Sequence, residues 1–331
     1  MCSINIYEVV IYIFFKAMDK KEQNNLLAKI ARLYYVEDMN QQAIADRLGI
    51  SRTKVSRSIT KAKRNKIVEI KINSHRERFD ELEAELENRY LLKECRIVPS
   101  YDDEKQIYKD LSSGLAGILD RLLKDGDLLG VGWGKTLRSV ADFIEPLNNI
   151  EISVIPLLGG LGKSGAEVHT NYVAKILAEK YGGKSFMIHS PAVLDSREAK
   201  EILEKDSNIK EIMDLADSVN TSVLGMSDIG LDSTMIETGN FTVEDFNYLE
   251  SLGVAGDVNL VFLDKNGKQV ISKIDDRIVR APAEKLRKMK NVIGIAFGPK
   301  KNAIIKASIK SGLINILLTD ENTATRLLEE K

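Results

Sequence analysis

Residues 40–66, NQQAIADRLGISRTKVSRSITKAKRNK, restrict the fold more tightly than any other stretch of the chain. An amphipathic segment from Gln41 to Leu48 breaks at Gly49, and a second opens at Ser51 and runs to about Arg64. Ile44, Ala45 and Leu48 share one face of the first, and Val55 and Ile59 recur four apart in the second. Each helix therefore has one apolar side to bury against the other. Gly49 supplies the permissive backbone of a tight turn, and Ser51 is a good N-cap for the second helix. The pattern predicts a helix-turn-helix whose second helix enters the major groove of DNA.

The face left outside by this packing carries Arg52, Thr53, Lys54, Ser56, Arg57 and Lys61, donors of the kind that base edges and phosphates accept from. Gln41 and Ser51, at the starts of the two helices, complete the candidate DNA-binding set. Charge separates this reading from an ordinary solvated helix pair. Residues 40–72 hold nine Lys or Arg against two acids, Asp46 and Glu69, in a chain whose net charge is -1. One cationic module in a near-neutral protein is a local electrostatic footprint for nucleic acid.

With 331 residues the chain is long enough for two domains, and 44% hydrophobic with 29% charged residues is ordinary for a soluble protein. Two cysteines, Cys2 and Cys95, cannot build a disulfide framework, and with His75, His169 and His189 they show no zinc spacing. A reducing cytoplasm is the expected compartment, and neither a metal nor a cofactor is expected. Cys95 reads as a small core residue, and His169 and His189 as structural.

Ile4 to Phe15 is apolar but shorter than the roughly 20 residues of a membrane span, and it lacks a secretory cleavage pattern. Residues 1–25 are read as an N-terminal extension: an extra packed element, a membrane-surface anchor, or translated sequence ahead of a start at Met18. A winged helix-turn-helix domain is assigned to 26–72, where KIVEIKI (66–72) alternates like the strand of a wing that lays Lys66 and Lys71 near the DNA backbone. Residues 73–92 form a linker helix, with Phe79, Leu82, Leu86 and Tyr90 near helical spacing; it either pairs between subunits or packs on its own chain.

From 93 to 331 strands alternate with helices. Strands are expected at 96–99, 127–133, 152–158, 185–190, 222–226, 258–263, 292–297 and 314–318, with amphipathic helices at 106–123, 171–181, 243–251 and 303–310. Continuous apolar runs bounded by glycine argue for a mostly parallel α/β sheet covered on both faces, in which ligands bind at the carboxyl ends of the strands. Four loops carry candidate chemistry there. Gly132-Trp133-Gly134-Lys135-Thr136 opens a helix and could hold a phosphate on free N–H groups, without the glycine spacing of a Walker A loop. Gly159, Gly160, Gly162 and Lys163 follow the next strand; Asp257 could accept from a sugar hydroxyl; Lys300 or Lys301 would meet an anion at a helix start. Together they outline an anionic, hydroxyl-bearing small molecule.

The run YYVEDMNQQAIADRLGISRTKVSRSITKAKRNKIVEIKI, followed by GVGWGKTL, PLLGGLG, GVAGDVNLVFLDKNG and VIGIAFGPKKNAIIKASIKSGLINILLTDENTATRLL, resembles the SorC family of sugar-binding transcriptional regulators. The resemblance covers nearly everything from Leu26 onward. It implies a winged helix-turn-helix joined to a Rossmann-like effector domain related to sugar-phosphate isomerases and CoA transferases. It further implies operator DNA and a phosphorylated sugar or polyol as partners, and a dimer or tetramer as the working form. By motif, Gly134, Lys135 and Thr136 would contact the effector, with Gly159 and Gly160, Asp257, and Lys300 or Lys301. Leu158 stands where some members carry a basic residue, and Lys163 is the candidate replacement. The alternative is a sugar-phosphate isomerase fused to a DNA-binding head. Its base would have to be Asp257, Asp228 or Glu237, none with an obvious partner to adjust its pKa, and no catalytic residue is assigned.

Overall fold

The computed structural model describes residues 24–69, 77–148, 150–160 and 170–329, which fall into two compact units divided within 70–76. Residues 1–23 of the N-terminal extension, Lys71, His75, Gly162, Lys163 and His169 lie outside the described residues.

The first unit is helical. Helix α1 (residues 24–35) packs on α2 (Gln41–Leu48) and α3 (Arg52–Arg64). Ile30, Leu33, Ile44, Ala45, Val55 and Ile59 form its core, with Leu48 half-buried beside them. The Asn40 side chain caps α2 by accepting from the Ala43 N–H at 2.9 Å, and Gly49 ends it at φ +64°. The Ser51 side chain accepts from the Lys54 N–H at 3.2 Å, the N-cap expected of it.

Residues 66–69 are not the start of a strand. Lys66 takes φ +54°, its N–H donates to Lys63 O, and the Ile67 N–H donates to Ala62 O at 2.9 Å. That is the paired bonding of a Schellman helix end, and its customary apolar contact is present: Ile67 and Val68 pack on Leu27, Ala31 and Ala62. Their alternation with charge serves this cap. The remainder of the expected wing lies outside the described residues.

The second unit is built on a parallel sheet in the order β1-β9-β8-β5-β2-β3-β4. The strands are β1 (Glu94–Val98), β2 (Leu128–Val131), β3 (Ser153–Pro156), β4 (Lys184–Ser185), β5 (Thr221–Ser227), β8 (Asn291–Ile295) and β9 (Ile316–Asp320). An antiparallel ribbon of β6 (Val254–Val258) and β7 (Val261–Asp264) hangs from the end of β5. Helices α5 (Glu104–Leu122), α6 (Lys135–Phe143) and α7 (Thr170–Lys180) cover one face through Leu111, Leu119, Val140 and Val173. The other face is covered by α4 (Glu77–Tyr90), α12 (Ala283–Lys288), α13 (Asn302–Lys310) and α14 (Glu321–Glu329), through Phe79, Leu86, Leu286, Ile304 and Leu327. The sheet is apolar on both sides because both are buried.

Helix α4 falls within the stretch 73–92 and packs on its own chain. Phe79 and Leu86 are buried, and the Tyr90 hydroxyl donates to Leu327 O at 2.6 Å.

Two expected strands differ from the sequence pattern. The run 258–263 is two strands meeting in a two-residue turn at Asn259-Leu260, both with positive φ (54° and 60°). This is the backbone of a tight hairpin, but leucine in place of glycine conceals it. The expected strand 185–190 stops at Ser185. The Asn171 side chain bonds both the N–H and the carbonyl of Ile188 at 3.0 Å, so a side-chain amide takes the place of a ladder neighbour. Further helices include α8 (Arg197–Glu204), α9 (Ser207–Leu215), α10 (Thr234–Glu237) and α11 (Val243–Ser251), of which the sequence pattern marks only α11.

From the junction of β2 and β5 the chain winds outward in both directions, to β3 and β4 on one side and to β8 and β9 on the other. Loops leaving the carboxyl ends of β2 and β5 therefore diverge and open a crevice, the usual position for a ligand in such sheets.

Candidate functional site

In the first unit Ser51, Arg52, Thr53, Lys54 and Arg57 are exposed on α3, while Gln41, Ser56 and Lys61 are half-buried. Ser51, Thr53, Lys54, Arg57 and Lys61 border one shallow depression of about 290 Å³. Helix α3 contains no acidic residue, and the nearby acid Glu37 is engaged by Arg47 of α2 at 3.2 Å. The face is cationic and accessible, with the apolar side of the helix committed to the core through Val55 and Ile59.

In the second unit the first candidate loop follows β2. Gly132 is buried against Leu224 and its N–H donates to Val223 O at 2.9 Å. The Trp133 ring is 5% exposed within an apolar cluster that includes Phe246, Leu260 and Phe262. The expectation that Trp133 contacts a ligand is corrected accordingly: its ring anchors the ribbon, which leaves that position only its backbone to offer. Gly134, at φ +127°, begins α6 without a side-chain cap, so the first N–H groups of the helix lack the acceptor that Asn, Ser or Asp provides elsewhere in the chain. Lys135 is exposed with its Nζ 2.5 Å from Glu237 Oε2, and Thr136 is half-buried.

Gly159 and Gly160 make close backbone contacts. The Gly159 N–H donates to Val279 O at 3.0 Å, the Gly160 N–H to Ser190 O at 2.8 Å, and Gly160 O accepts from Ala192 at 2.6 Å. Both residues are buried. The lack of a side chain at Gly159 lets the 190–192 segment pass close by, and the Gly160 amide is occupied with that segment. Gly160 also borders a larger cavity of about 610 Å³, with His189, Asn240 and Arg277 on its wall. His189 is exposed there, not structural as the sequence suggested.

Asp257 lies inside β6, not in a loop before a strand, and is 2% exposed. Its Oδ2 accepts from the Leu260 N–H at 2.8 Å and so locks the hairpin turn. Burial drives its pKa up to about 7; the Leu260 bond, Lys301 and Arg280 pull it down less strongly. Oδ2 thus holds the turn, while Oδ1 is buried without a hydrogen-bond partner among the described residues.

Lys300 and Lys301 both reach the crevice. Gly298, at φ +101°, leads into a 3-10 turn, Pro299–Lys301, that runs into α13 without a side-chain cap. Lys300 Nζ is 2.6 Å from Asp232 Oδ2, and Lys301 is paired with Asp228. These four residues with Ser233 and Thr234 border a cavity of about 310 Å³. Asp232, Ser233 and Thr234 escaped the sequence reading, although Ser233 ahead of TMIE has the pattern of an N-cap. Among the described residues no group of three or more His, Cys, Asp or Glu is placed to hold a metal ion.

Residues 74–329 match the sugar-binding domain family, Sugar-bind. The chain is 31% identical over 314 residues to the deoxyribonucleoside regulator of Bacillus subtilis, covering 95% of this chain and 100% of that protein. It is 30% identical to the sorbitol operon regulator of Klebsiella pneumoniae, covering 94% and 100%. The crystal structure of full-length SorC from Klebsiella pneumoniae superposes with a TM-score of 0.72 at 30% identity, over 92% of this chain and 98% of that one. A DeoR family transcriptional regulator from Listeria monocytogenes gives 0.69 at 27% identity, over 76% and 99%.

Proposed function

The chain belongs to the SorC family of sugar-binding transcriptional regulators, and on that premise we propose that it controls a carbohydrate-metabolism operon in response to a phosphorylated sugar or polyol. Helix α3 reads operator DNA through Arg52, Thr53, Lys54, Ser56 and Arg57, with Lys61 on the backbone. The effector occupies the crevice at the carboxyl ends of β2, β5 and β8, with its phosphoryl group on Lys300, Lys301 and Lys135. The second unit is of the Rossmann-like kind shared with sugar-phosphate isomerases and CoA transferases, and the protein works in the cytoplasm as a dimer or tetramer.

One observation carries the effector site: α6 and α13 both begin without side-chain caps, the turn into α13 brings Lys300 and Lys301 to a cavity bordered by Ser227, Ser233 and Thr234, and Lys135 of α6 pairs with Glu237 of the segment that lines it. Open N–H groups, positive helix ends and ammonium groups together form an anion site. Of the bases open to the isomerase alternative, Asp228 and Glu237 are held in ion pairs with Lys301 and Lys135. Asp257 has the pKa for that work, but its burial keeps it from substrate.

A thermal-shift series over phosphorylated sugars and polyols, paired with their unphosphorylated forms, tests this reading. A ligand selective for the native state raises apparent stability by mass action, and a phosphorylated member is expected to do so. Stabilisation by neutral sugars alone, or chemical turnover of the ligand, would overturn it.

A further inference from the structure

Three lysines from two distant parts of the chain, two of them on the cavity wall, are each paired with an acid of one short segment. Lys301 meets Asp228, Lys300 meets Asp232 and Lys135 meets Glu237. That segment leaves the end of β5 and is pinned by Met235 and Phe241, both buried in the apolar cluster beneath the ribbon. Between its first two acids lies Gly230. A Cβ there would stand 2.6 Å from Asp232 Oδ1 and 3.0 Å from Asp228 Oδ2, so two carboxylates close on one point. Two negative charges in so small a space resemble a phosphate monoester, and they engage the same ammonium groups.

Resting on the effector reading above, we infer that Asp228, Asp232 and Glu237 are specificity-determining residues of this site: a built-in anion that an incoming phosphoryl dianion must displace. The balance of charge fits this role. Three lysines against three carboxylates leave the cluster near neutral, a neutral sugar brings no charge to displace the acids, and a monoanion replaces only part of what it displaces. A phosphate monoester, with close to two charges at neutral pH, replaces the Asp228 and Asp232 pair in full. Displacement also costs little. The Lys300–Asp232 and Lys135–Glu237 pairs are mostly exposed, and such pairs are each worth a factor of about 1.5 to 5 in an equilibrium. The Lys301–Asp228 pair is the more enclosed of the three and resists longest.

Calorimetric titration of the full-length protein with inorganic phosphate at pH 8 tests the inference. The Asp228→Asn, Asp232→Asn, Glu237→Gln triple variant is expected to bind phosphate roughly tenfold more tightly than the parent, from the exposed-pair factors taken together. The exposed single variant Asp232→Asn is expected to show a smaller gain in the same direction and keeps the test valid should the triple variant fail to fold. Glu244→Gln, an acid on α11 that faces none of these lysines, controls for a general change in net charge. Unchanged or weaker phosphate binding in both Asp232→Asn and the triple variant would overturn the inference, as would an equal gain in Glu244→Gln. Lys300→Ala with Lys301→Ala separates the two levels of the argument. Loss of phosphate binding there, without any gain from the acid substitutions, leaves the effector site standing and removes the competing anion. Undiminished phosphate binding in the lysine variant removes both.

Discussion

The Glu83 carboxylate accepts the backbone N–H of Ile97 at 2.8 Å, and one helical turn on, Glu87 accepts that of Cys95 at the same distance. Among the described residues β1 is the edge of the sheet, with β9 its one strand neighbour, so its outward side faces α4. An edge of this kind invites pairing with other chains, and here two carboxylates spaced four apart on α4 match two N–H groups spaced two apart on β1. Burial, reinforced by these carboxylates and Glu94, pushes the Cys95 thiol well above its ordinary value and leaves it inert. Glu83→Ala removes the carboxylate that accepts the Ile97 N–H and is expected to cost about 1–3 kcal/mol in chemical denaturation, whereas Glu83→Gln retains an acceptor oxygen and should cost little. Equal losses in both variants would show that the bond to Ile97 is not what holds the helix.

Arg52→Ala and Arg57→Ala are expected to weaken binding to the operator by about 1–3 kcal/mol while changing affinity for random duplex less. Both side chains are exposed on the face of α3 opposite its core, where they can reach base edges. Fluorescence anisotropy on the two DNAs at one salt concentration separates base readout from phosphate contact. Equal losses on both would reassign the pair to the backbone.

The helix-turn-helix was legible because its core is local: Ile44, Val55 and Ile59 announce themselves by helical spacing within a short stretch of chain. The parallel strands were legible because burial on both faces leaves uninterrupted apolar runs, as in VIGI of β8. The features that stayed hidden depend on distant partners. Nothing near Lys300 or Lys301 in the chain reveals Asp232 and Asp228, 68 and 73 residues away. The strand expected at 185–190 was lost to a side chain, Asn171, and the hairpin at Asn259-Leu260 to a leucine in a conformation that glycine usually takes. At Gly159 the close approach is between two backbones, a contact that glycine spacing in the sequence does not distinguish from one between backbone and ligand.

Gly159 and Gly117 offer a direct comparison of these roles. A Cβ at Gly159 would lie 2.6 Å from Pro191 O and 2.7 Å from Ser190 O, and backbone cannot turn aside as a side chain can. Gly159→Ala is expected to cost about 1–3 kcal/mol, the range for overpacking. Gly117 sits within α5, and a Cβ added there would meet nothing within 4 Å. Gly117→Ala is expected to add about 0.5–1 kcal/mol, because it stiffens the unfolded chain and favours helix. Urea midpoints of the two variants check both signs, and a neutral Gly159→Ala would mean that the 190–192 segment yields.

Asp257 makes stability depend on pH in a direction opposite to that of most carboxylates. Its folded-state pKa is raised, chiefly by burial, from 3.8 to about 7. The folded protein therefore holds the proton where the unfolded chain has released it, and stability falls as pH rises from about 4 through about 7. Below that window the contribution is fully present; above it the charge is buried at a cost on the order of 4 kcal/mol at most, by the same linkage. Asp257→Asn keeps an oxygen to accept the Leu260 N–H and cannot ionise. Denaturation midpoints taken at pH 5 and pH 8 should converge in the variant relative to the parent, with the variant gaining at pH 8. If parent and variant shift in parallel between the two pH values, Asp257 is already ionised throughout, and Lys301 and Arg280 outweigh its burial.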